Sequence, residues 1–114
     1  MKSPARVINP DQLTFVPRFE YGDQAQLAAV CSAEDETKLG SGYVRLTNAE
    51  IPWTIKYDEV LLVLEGEITI RTGDGDLTAG PHETIWLPAG TELTYLADNA
   101  LVFYAIHPND WSAE

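Results

Sequence analysis

Apolar and polar positions alternate, or fall in short apolar runs, along most of the chain, and this pattern predicts strands. Residues 52–66 carry the strongest signal, because a polar and aromatic stretch leads into an apolar block at 60–64 that Glu65-Gly66 ends. A second strand-like run follows at 67–71. Two β-rich runs joined through a glycine predict an antiparallel hairpin. The 60–64 block is apolar at consecutive positions, which is typical of a strand covered on both faces.

Shorter runs predict further strands, separated by glycine and proline. These strands lie at 13–16, 24–30, 43–47, 84–87, 92–96 and 101–106, with turns at 9–11, 40–42, 73–76, 88–90 and 98–99. The 24–30 run also fits a helical turn, but a strand is favoured because the run leads into an acidic loop. No stretch predicts a helix longer than two turns. The predicted fold class is therefore all-β, a small barrel or sandwich of one domain.

Length and charge narrow the classes of function. A chain of 114 residues forms one domain that buries about two-thirds of its unfolded surface. The net charge of −11 repels phosphate backbones and anionic lipid, so neither nucleic acid nor membrane is expected as a partner. The single Cys31 forms no internal disulfide, and the first residues lack the apolar core of a signal peptide. We therefore expect a soluble, cytoplasmic protein.

The spacing of Glu59 and Gly66 resembles the first motif of the cupins, small β-barrels of the jelly-roll (double-stranded β-helix) kind. Six residues separate the Glu from the Gly in that motif, as they do here. A second cupin motif resembles residues 82–93, with His82 at the position where the family has Gly. The resemblance implies a cupin barrel core at 38–114, preceded by an N-terminal arm and first strands at 1–37.

The histidines that hold the cupin metal are missing. The positions that correspond to them are Trp53 and Ile55 or Pro52 and Thr54, and Leu93. Of the four family ligands only Glu59 remains, whereas a divalent transition metal takes about three or four donors. The sequence thus predicts no cofactor and no metal site of the usual kind. The alternative is an irregular divalent site that uses Asp58, Tyr57 or His82.

A longer stretch is similar to the cupin domain of the ethanolamine-utilisation EutQ family. The similarity rests on Gly42-Tyr43, the string at 51–59, the segment 63–67 and the closing Pro108-x-x-Trp111, and it covers about residues 38–111. Proteins of that family carry a further region before the cupin, where this chain has a short proline-containing arm. The resemblance implies a role in ethanolamine utilisation, and an acetate-kinase activity is ascribed to the family. The sequence itself has no Gly-rich loop followed by Lys-Ser/Thr that would cradle a nucleotide.

Glu59 is the first candidate for chemistry. Alternate side chains of a strand share a face, so positions 53, 55, 57, 59, 61 and 63 point the same way, and the cupin alignment places that face in the barrel lumen. A carboxylate among aromatic and aliphatic side chains has a raised pKa and is suited to proton transfer. The alternative is that Glu59 pairs with Arg45 or a Tyr hydroxyl and only orders the lumen.

Four further residues are candidates for ligand binding. Trp53 and Tyr57 are predicted as walls on which a ligand stacks, although core packing explains them equally well. Tyr95 is predicted to point into the lumen. Asp58 faces the opposite way, towards solvent or a subunit contact, so it is the less favoured candidate for a ligand-binding residue.

Three functions follow. The first is an accessory protein or enzyme of ethanolamine or related small-amine catabolism that binds a small-molecule ligand in the lumen, with Glu59 as acid or base. The second is a non-catalytic sensing or structural cupin that has lost its metal, and the third is an enzyme with an irregular metal site. The apolar 60–64 strand and the aromatic strands leave surface that predicts a homodimer. The alternation of side chains along a strand does not decide whether Trp86 faces the lumen or a dimer contact, or which face of its strand Tyr104 occupies.

Overall fold

The computed structural model describes residues 4–18 and 21–111. They form the strands β1 (Val16–Pro17), β2 (Ala25–Cys31), β3 (Gly40–Thr54), β4 (Asp58–Gly66), β5 (Ile68–Thr72), β6 (Gly75–Ala79), β7 (Thr84–Leu87) and β8 (Glu92–His107). Two 3-10 turns lie at Pro10–Gln12 and Ala33–Asp35. The all-β prediction is confirmed. The division at 37/38 stays a prediction, and β2 from the first part pairs with β3 from the second.

The sheet is organised around β8. Strand β3 pairs with it antiparallel over nearly its whole length, from Gly40 opposite Ile106 to Thr54 opposite Glu92. The other edge of β8 is shared, because β4 pairs with its C-terminal half and β5 with its N-terminal half. Strands β2 and β1 extend the sheet beyond β3, β7 lies beyond β4, and β6 pairs with β5.

The predicted hairpin at Gly66 is wrong. Strands β4 and β5 pair with β8 and not with each other, so they run in succession along the same edge. Gly66 has a φ of 78°, and a Cβ at this position would collide with the backbone carbonyl of Asn99. A glycine between two strand-like runs permits either a reversal or a kink. The long partner strand β8 selects the kink, because it satisfies the backbone hydrogen bonds of both segments.

The predicted turn at 98–99 is also wrong, because β8 runs through it. The ladder between β3 and β8 is interrupted opposite Asn48 and resumes with Ala49 opposite Ala97. Asn48 adopts a φ of 43°, a left-handed conformation that Asn tolerates better than most residues. Polar residues at 98–99 therefore mark an irregularity in the pairing of two long strands. The sequence pattern also misses β6, whose five residues include one large apolar side chain, Leu77.

Buried aliphatic side chains fill the interior. The largest fully buried ones are Ile55, Ile68, Ile70, Leu87, Val63 and Val102. In β4 the residues Glu59, Leu61 and Val63 are buried, whereas Asp58 and Val60 are exposed. The predicted alternation of buried and exposed side chains is therefore present at these positions of β4, and Glu59 lies on the inner face of the barrel.

Candidate functional site

A cavity of about 90 Å³ lies inside the barrel. Its aromatic lining consists of Tyr21, Trp53, Tyr57, Tyr95, Tyr104 and Trp111. Aliphatic side chains complete most of the wall, and Arg18 and Glu59 are its charged members among the described residues. The space suits a few water molecules or an organic molecule of few heavy atoms. Apolar walls with a small number of polar groups are typical of small-molecule sites.

Glu59 is held at this cavity by the pairing of β4 with both of its neighbours. It lies opposite Ile106 of β8 and Leu87 of β7, and 6% of its surface is exposed. The Tyr95 hydroxyl donates a hydrogen bond of 2.9 Å to Glu59 Oε1. Burial raises the pKa of Glu59 from 4.5 to about 7, and this effect outweighs the lowering by the Tyr95 hydrogen bond and by the charge of Arg18. Both protonation states are therefore populated near neutral pH, as a general acid or base requires.

Three of the four tyrosines that line the cavity interact electrostatically with this carboxyl group. Burial, followed by the charge of Glu59, raises the pKa of the Tyr95 and Tyr57 phenols. Burial also raises the pKa of Tyr104 to about 12. All three phenols therefore stay neutral at physiological pH, and a neutral phenol can donate a hydrogen bond, as Tyr95 does to Glu59.

Aromatic side chains from separate segments meet at the same cavity. The Trp53 and Trp111 ring centroids are 5.8 Å apart with the rings nearly perpendicular, and the Tyr57 and Trp111 centroids are 5.3 Å apart. The Arg18 guanidinium carbon lies 5.7 Å from the centroid of Trp53, within the range of a cation–π contact. Trp53 thus contacts one residue from the segment after β1 and one from the segment after β8.

The structure brings four of the five predicted site residues together. Trp53, Tyr57, Glu59 and Tyr95 all line the cavity. Asp58 does not, because its exposed carboxylate accepts a hydrogen bond of 3.0 Å from a backbone N–H of the loop after β7. Whether any of these residues contacts a ligand stays a prediction.

Of the two partners predicted for the Glu59 carboxyl group, Arg45 or a Tyr hydroxyl, the structure shows the hydroxyl, which belongs to Tyr95. Arg45 lies elsewhere, on the exposed side of β3, where its guanidinium is 3.4 Å from Glu65. Trp86 is 60% exposed on β7 and does not line the cavity, whereas Tyr104 does.

Sequence reasoning missed Arg18 and left the roles of Tyr104 and Trp111 undefined. Arg18 follows a short proline-containing strand whose pattern is not periodic, so nothing local marks it as a lining residue. Trp111 had one signal, the closing Pro-x-x-Trp of the family resemblance.

The donor set does not fit a cupin metal of the usual kind. Residues 4–18 and 21–111 contain no group of three or more His, Cys, Asp and Glu side chains that could hold a metal ion. Of the irregular set, Tyr57 reaches the cavity, whereas His82 and Asp58 are exposed and do not line it. His82 has a φ of 73°, the left-handed conformation that explains why the family has glycine at this position. No helix in the described part of the chain is long and apolar enough to cross a membrane.

Solved structures show the same architecture. The chain matches the crystal structure of ethanolamine utilization protein Q from Salmonella typhimurium LT2 with a TM-score of 0.85 and 23% identity, over 92% of this chain and 87% of that one. It matches the Clostridium difficile EutQ protein with a TM-score of 0.72 and 25% identity, over 76% and 70% of the two chains. An RmlC-like cupin from Shewanella frigidimarina matches over 95% of both chains with a TM-score of 0.74 and 10% identity. The fold is therefore a cupin jelly roll, as the sequence predicted.

Curated relatives point to one family. Acetate kinase EutQ of Escherichia coli K12 is 27% identical over 88 residues, which are 76% of this chain and 38% of that protein. Acetate kinase EutQ of Clostridioides difficile 630 is 28% identical over 82 residues, 71% of this chain and 52% of that protein. The chain thus spans about two-fifths to one-half of the length of these relatives. The profile of ethanolamine utilisation protein EutQ matches residues 14–113. The chain belongs to the EutQ family of ethanolamine utilisation proteins.

Proposed function

We propose that this cupin binds a small polar molecule in its barrel lumen as an accessory protein or enzyme of ethanolamine or related small-amine catabolism, with Glu59 as acid or base. One observation carries the proposal: a carboxyl group that is 6% exposed and has a pKa of about 7 lies on an aromatic cavity. Burying such a group is costly where an apolar residue would pack as well. Membership of the EutQ family supports the metabolic setting.

The residues present support proton transfer. The Tyr95 hydroxyl fixes the orientation of the Glu59 carboxyl through Oε1. Above its pKa Glu59 takes a proton from a bound molecule, and below its pKa it gives one. The relatives are named for an acetate kinase activity, which needs a nucleotide site. Since the sequence has no Gly-rich loop followed by Lys-Ser/Thr, the proposal is based on the lumen and not on phosphoryl transfer.

Three tryptophans give this proposal a site-specific test. Trp53 and Trp111 line the cavity, whereas Trp86 is on the outside and serves as an internal control. In ¹H–¹⁵N NMR titrations with ethanolamine, acetaldehyde and acetate, the indole resonances of Trp53 and Trp111 should shift with at least one compound while that of Trp86 stays still. Tryptophan-to-phenylalanine variants assign the three resonances. Titrations in which Trp53 and Trp111 do not respond to any of the compounds would refute a lumen site of this kind.

A second function, a non-catalytic sensing or structural cupin, is favoured by the existing Tyr95 hydrogen bond, which already gives Glu59 a partner. Glu59→Gln separates the two. If the ionisation of Glu59 is coupled to the bound ligand, the variant should lose the pH dependence of binding between pH 6 and 8. A variant that binds with the same affinity and the same pH dependence as the wild type assigns Glu59 to structure alone. Glu65→Gln, on the exposed end of β4, is the matched control.

We also propose that a second copy of the chain covers the outer face of β4 and β7, and so forms a homodimer. Val60 and Trp86 lie opposite each other in the β4–β7 ladder and are 42% and 60% exposed. On the adjacent strand β8, Phe103 lies opposite Leu62 and packs edge-to-face against Tyr43 at 5.3 Å. Since β7 is the last strand of its side of the sheet, an apolar face and a strand edge are presented together. This arrangement supports the dimer predicted from the consecutive apolar residues at 60–64.

A further inference from the structure

We propose that Arg18 makes the lumen selective for molecules that carry a compact anionic group, such as a short-chain carboxylate, and against amines of the same size. The inference rests on the proposed lumen ligand and names its charge. Arg18 is not among the site residues predicted from the sequence, and its role follows from its place in the fold.

Backbone pairing fixes the position of Arg18. The residue follows β1, and its N–H donates a hydrogen bond of 3.0 Å to the carbonyl of Ala25 at the start of β2. Its side chain lines the cavity, and its guanidinium carbon lies 5.7 Å from the Trp53 ring centroid. The cation therefore lies against the aromatic wall of the cavity.

The positive charge of Arg18 acts on four acidic groups of the cavity. It lowers the pKa of Glu59, Tyr57, Tyr95 and Tyr104 against the larger effect of burial. Four other cations of the described residues, Arg6, Lys38, Arg45 and Arg71, do not line the cavity. Among the described residues that line the lumen, Arg18 is the basic one.

This set of groups is complementary to an anion. A guanidinium is permanently charged and presents only donors, in a fork that matches a carboxylate. The phenols of Tyr57, Tyr95 and Tyr104 are neutral donors, and Glu59 becomes a donor when it is protonated. Among the described residues that line the lumen, an ammonium ligand would find an anionic acceptor only in ionised Glu59, and it would be repelled by Arg18. Aromatic and aliphatic walls then fit a short hydrocarbon portion.

Anion binding should be linked to uptake of a proton. The groups around Glu59 are Tyr95 and Tyr104 of β8, Tyr57 before β4, and Arg18. The phenols of Tyr57, Tyr95 and Tyr104 stay neutral between pH 5 and pH 9, so among these groups Glu59 is the one that titrates in this range. A bound anion favours the neutral carboxyl, so affinity for a carboxylate should fall as the pH rises above about 7. A bound ammonium ion would have the opposite pH dependence.

The experiment compares probes of equal size and different charge. Acetate and propionate, acetamide and propionamide, and ethylammonium and propylammonium are titrated into the ¹⁵N-labelled chain, and dissociation constants are read from the Trp53 and Trp111 indoles with Trp86 as the control. We expect carboxylates to bind at least tenfold more tightly than the amides and amines at pH 6. Arg18→Gln should lower carboxylate affinity at least tenfold, Arg18→Lys should restore part of it, and Arg45→Gln on the exposed side of β3 should leave it unchanged. Glu59→Gln should keep carboxylate binding and lose its pH dependence.

The outcomes separate the two proposals. If no probe moves the Trp53 and Trp111 indoles, the lumen site itself is refuted. If amines or amides bind as tightly as carboxylates, or if Arg18→Gln leaves carboxylate affinity unchanged, the role of Arg18 is refuted while the lumen site stands. An unchanged ¹H–¹⁵N spectrum outside the cavity verifies that each variant is folded.

Discussion

Replacing Glu59 by Gln tests the electrostatics of the lumen through folding stability, without a ligand. The substitution preserves the size of the side chain, and its Oε1 still accepts the hydrogen bond from Tyr95. What it removes is an ionisable group whose pKa rises from 4.5 to about 7 in the folded protein because of burial. Any change in the pH dependence of unfolding therefore comes from this one group.

The sign and size follow from proton linkage. A raised pKa means that the folded protein holds the proton of Glu59 more tightly than the unfolded chain does. This stabilisation is fully present below the unfolded pKa of 4.5 and is lost as the pH rises through the folded pKa of about 7. Since one unit of pKa corresponds to about 1.4 kcal/mol, the loss between pH 5 and pH 8 is about 2 to 3 kcal/mol.

The measurement is urea unfolding followed by tryptophan fluorescence, at one protein concentration and at pH 5, 6, 7 and 8. The free energy of unfolding of Glu59→Gln minus that of the wild type should rise by about 2 to 3 kcal/mol across this range. All other carboxyl groups are shared and cancel in the difference. Glu65→Gln, which changes an exposed carboxylate, should give a difference that is flat to about 0.5 kcal/mol. A flat difference for Glu59→Gln as well would mean that this carboxyl group ionises as it does in water, and the proposed chemistry would lose its basis.

Three further predictions concern single contacts. Tyr95→Phe removes the hydrogen bond that lowers the pKa of Glu59, so a ¹³C NMR titration of the carboxyl group should show a higher pKa for Glu59 than in the wild type. An unchanged or lower pKa would contradict Tyr95 as the hydrogen-bond partner of Glu59. Gly66→Ala should lower the free energy of unfolding, measured in urea, by about 2 kcal/mol or more, because φ is 78° and the new Cβ meets the carbonyl of Asn99 in β8. A loss below about 0.5 kcal/mol would argue against the kink. Light scattering should show that Trp86→Glu converts a dimer into a folded monomer, whereas Leu77→Glu, at a residue 50% exposed on β6, leaves the dimer intact. The proposed interface is refuted if the wild type is a monomer or if Trp86→Glu remains a dimer.

Local patterns predicted those parts of the fold that depend on neighbouring residues. The strands at 24–30 and 84–87 were placed within a residue of β2 and β7, because alternation and flanking turn residues act over a few positions. The same alternation put Glu59 on the inner face of β4. The absence of the metal-binding histidines could likewise be read from residue types alone. The EutQ-like string at 51–59 contributed the family.

Long-range pairing decided the rest. Gly66 permits a hairpin or a kink, and only the length of β8, which satisfies the hydrogen bonds of β4 and β5 together, selects the kink. The hydrogen bond between Glu59 and Tyr95 joins residues 36 positions apart, and Arg18 reaches the lumen because β1 pairs with β2. Sequence alone determined a cupin without its histidines and with an inward-facing acid. Tertiary structure determined which side chains surround that acid, because burial and charge depend on contacts between distant segments, and these set its pKa.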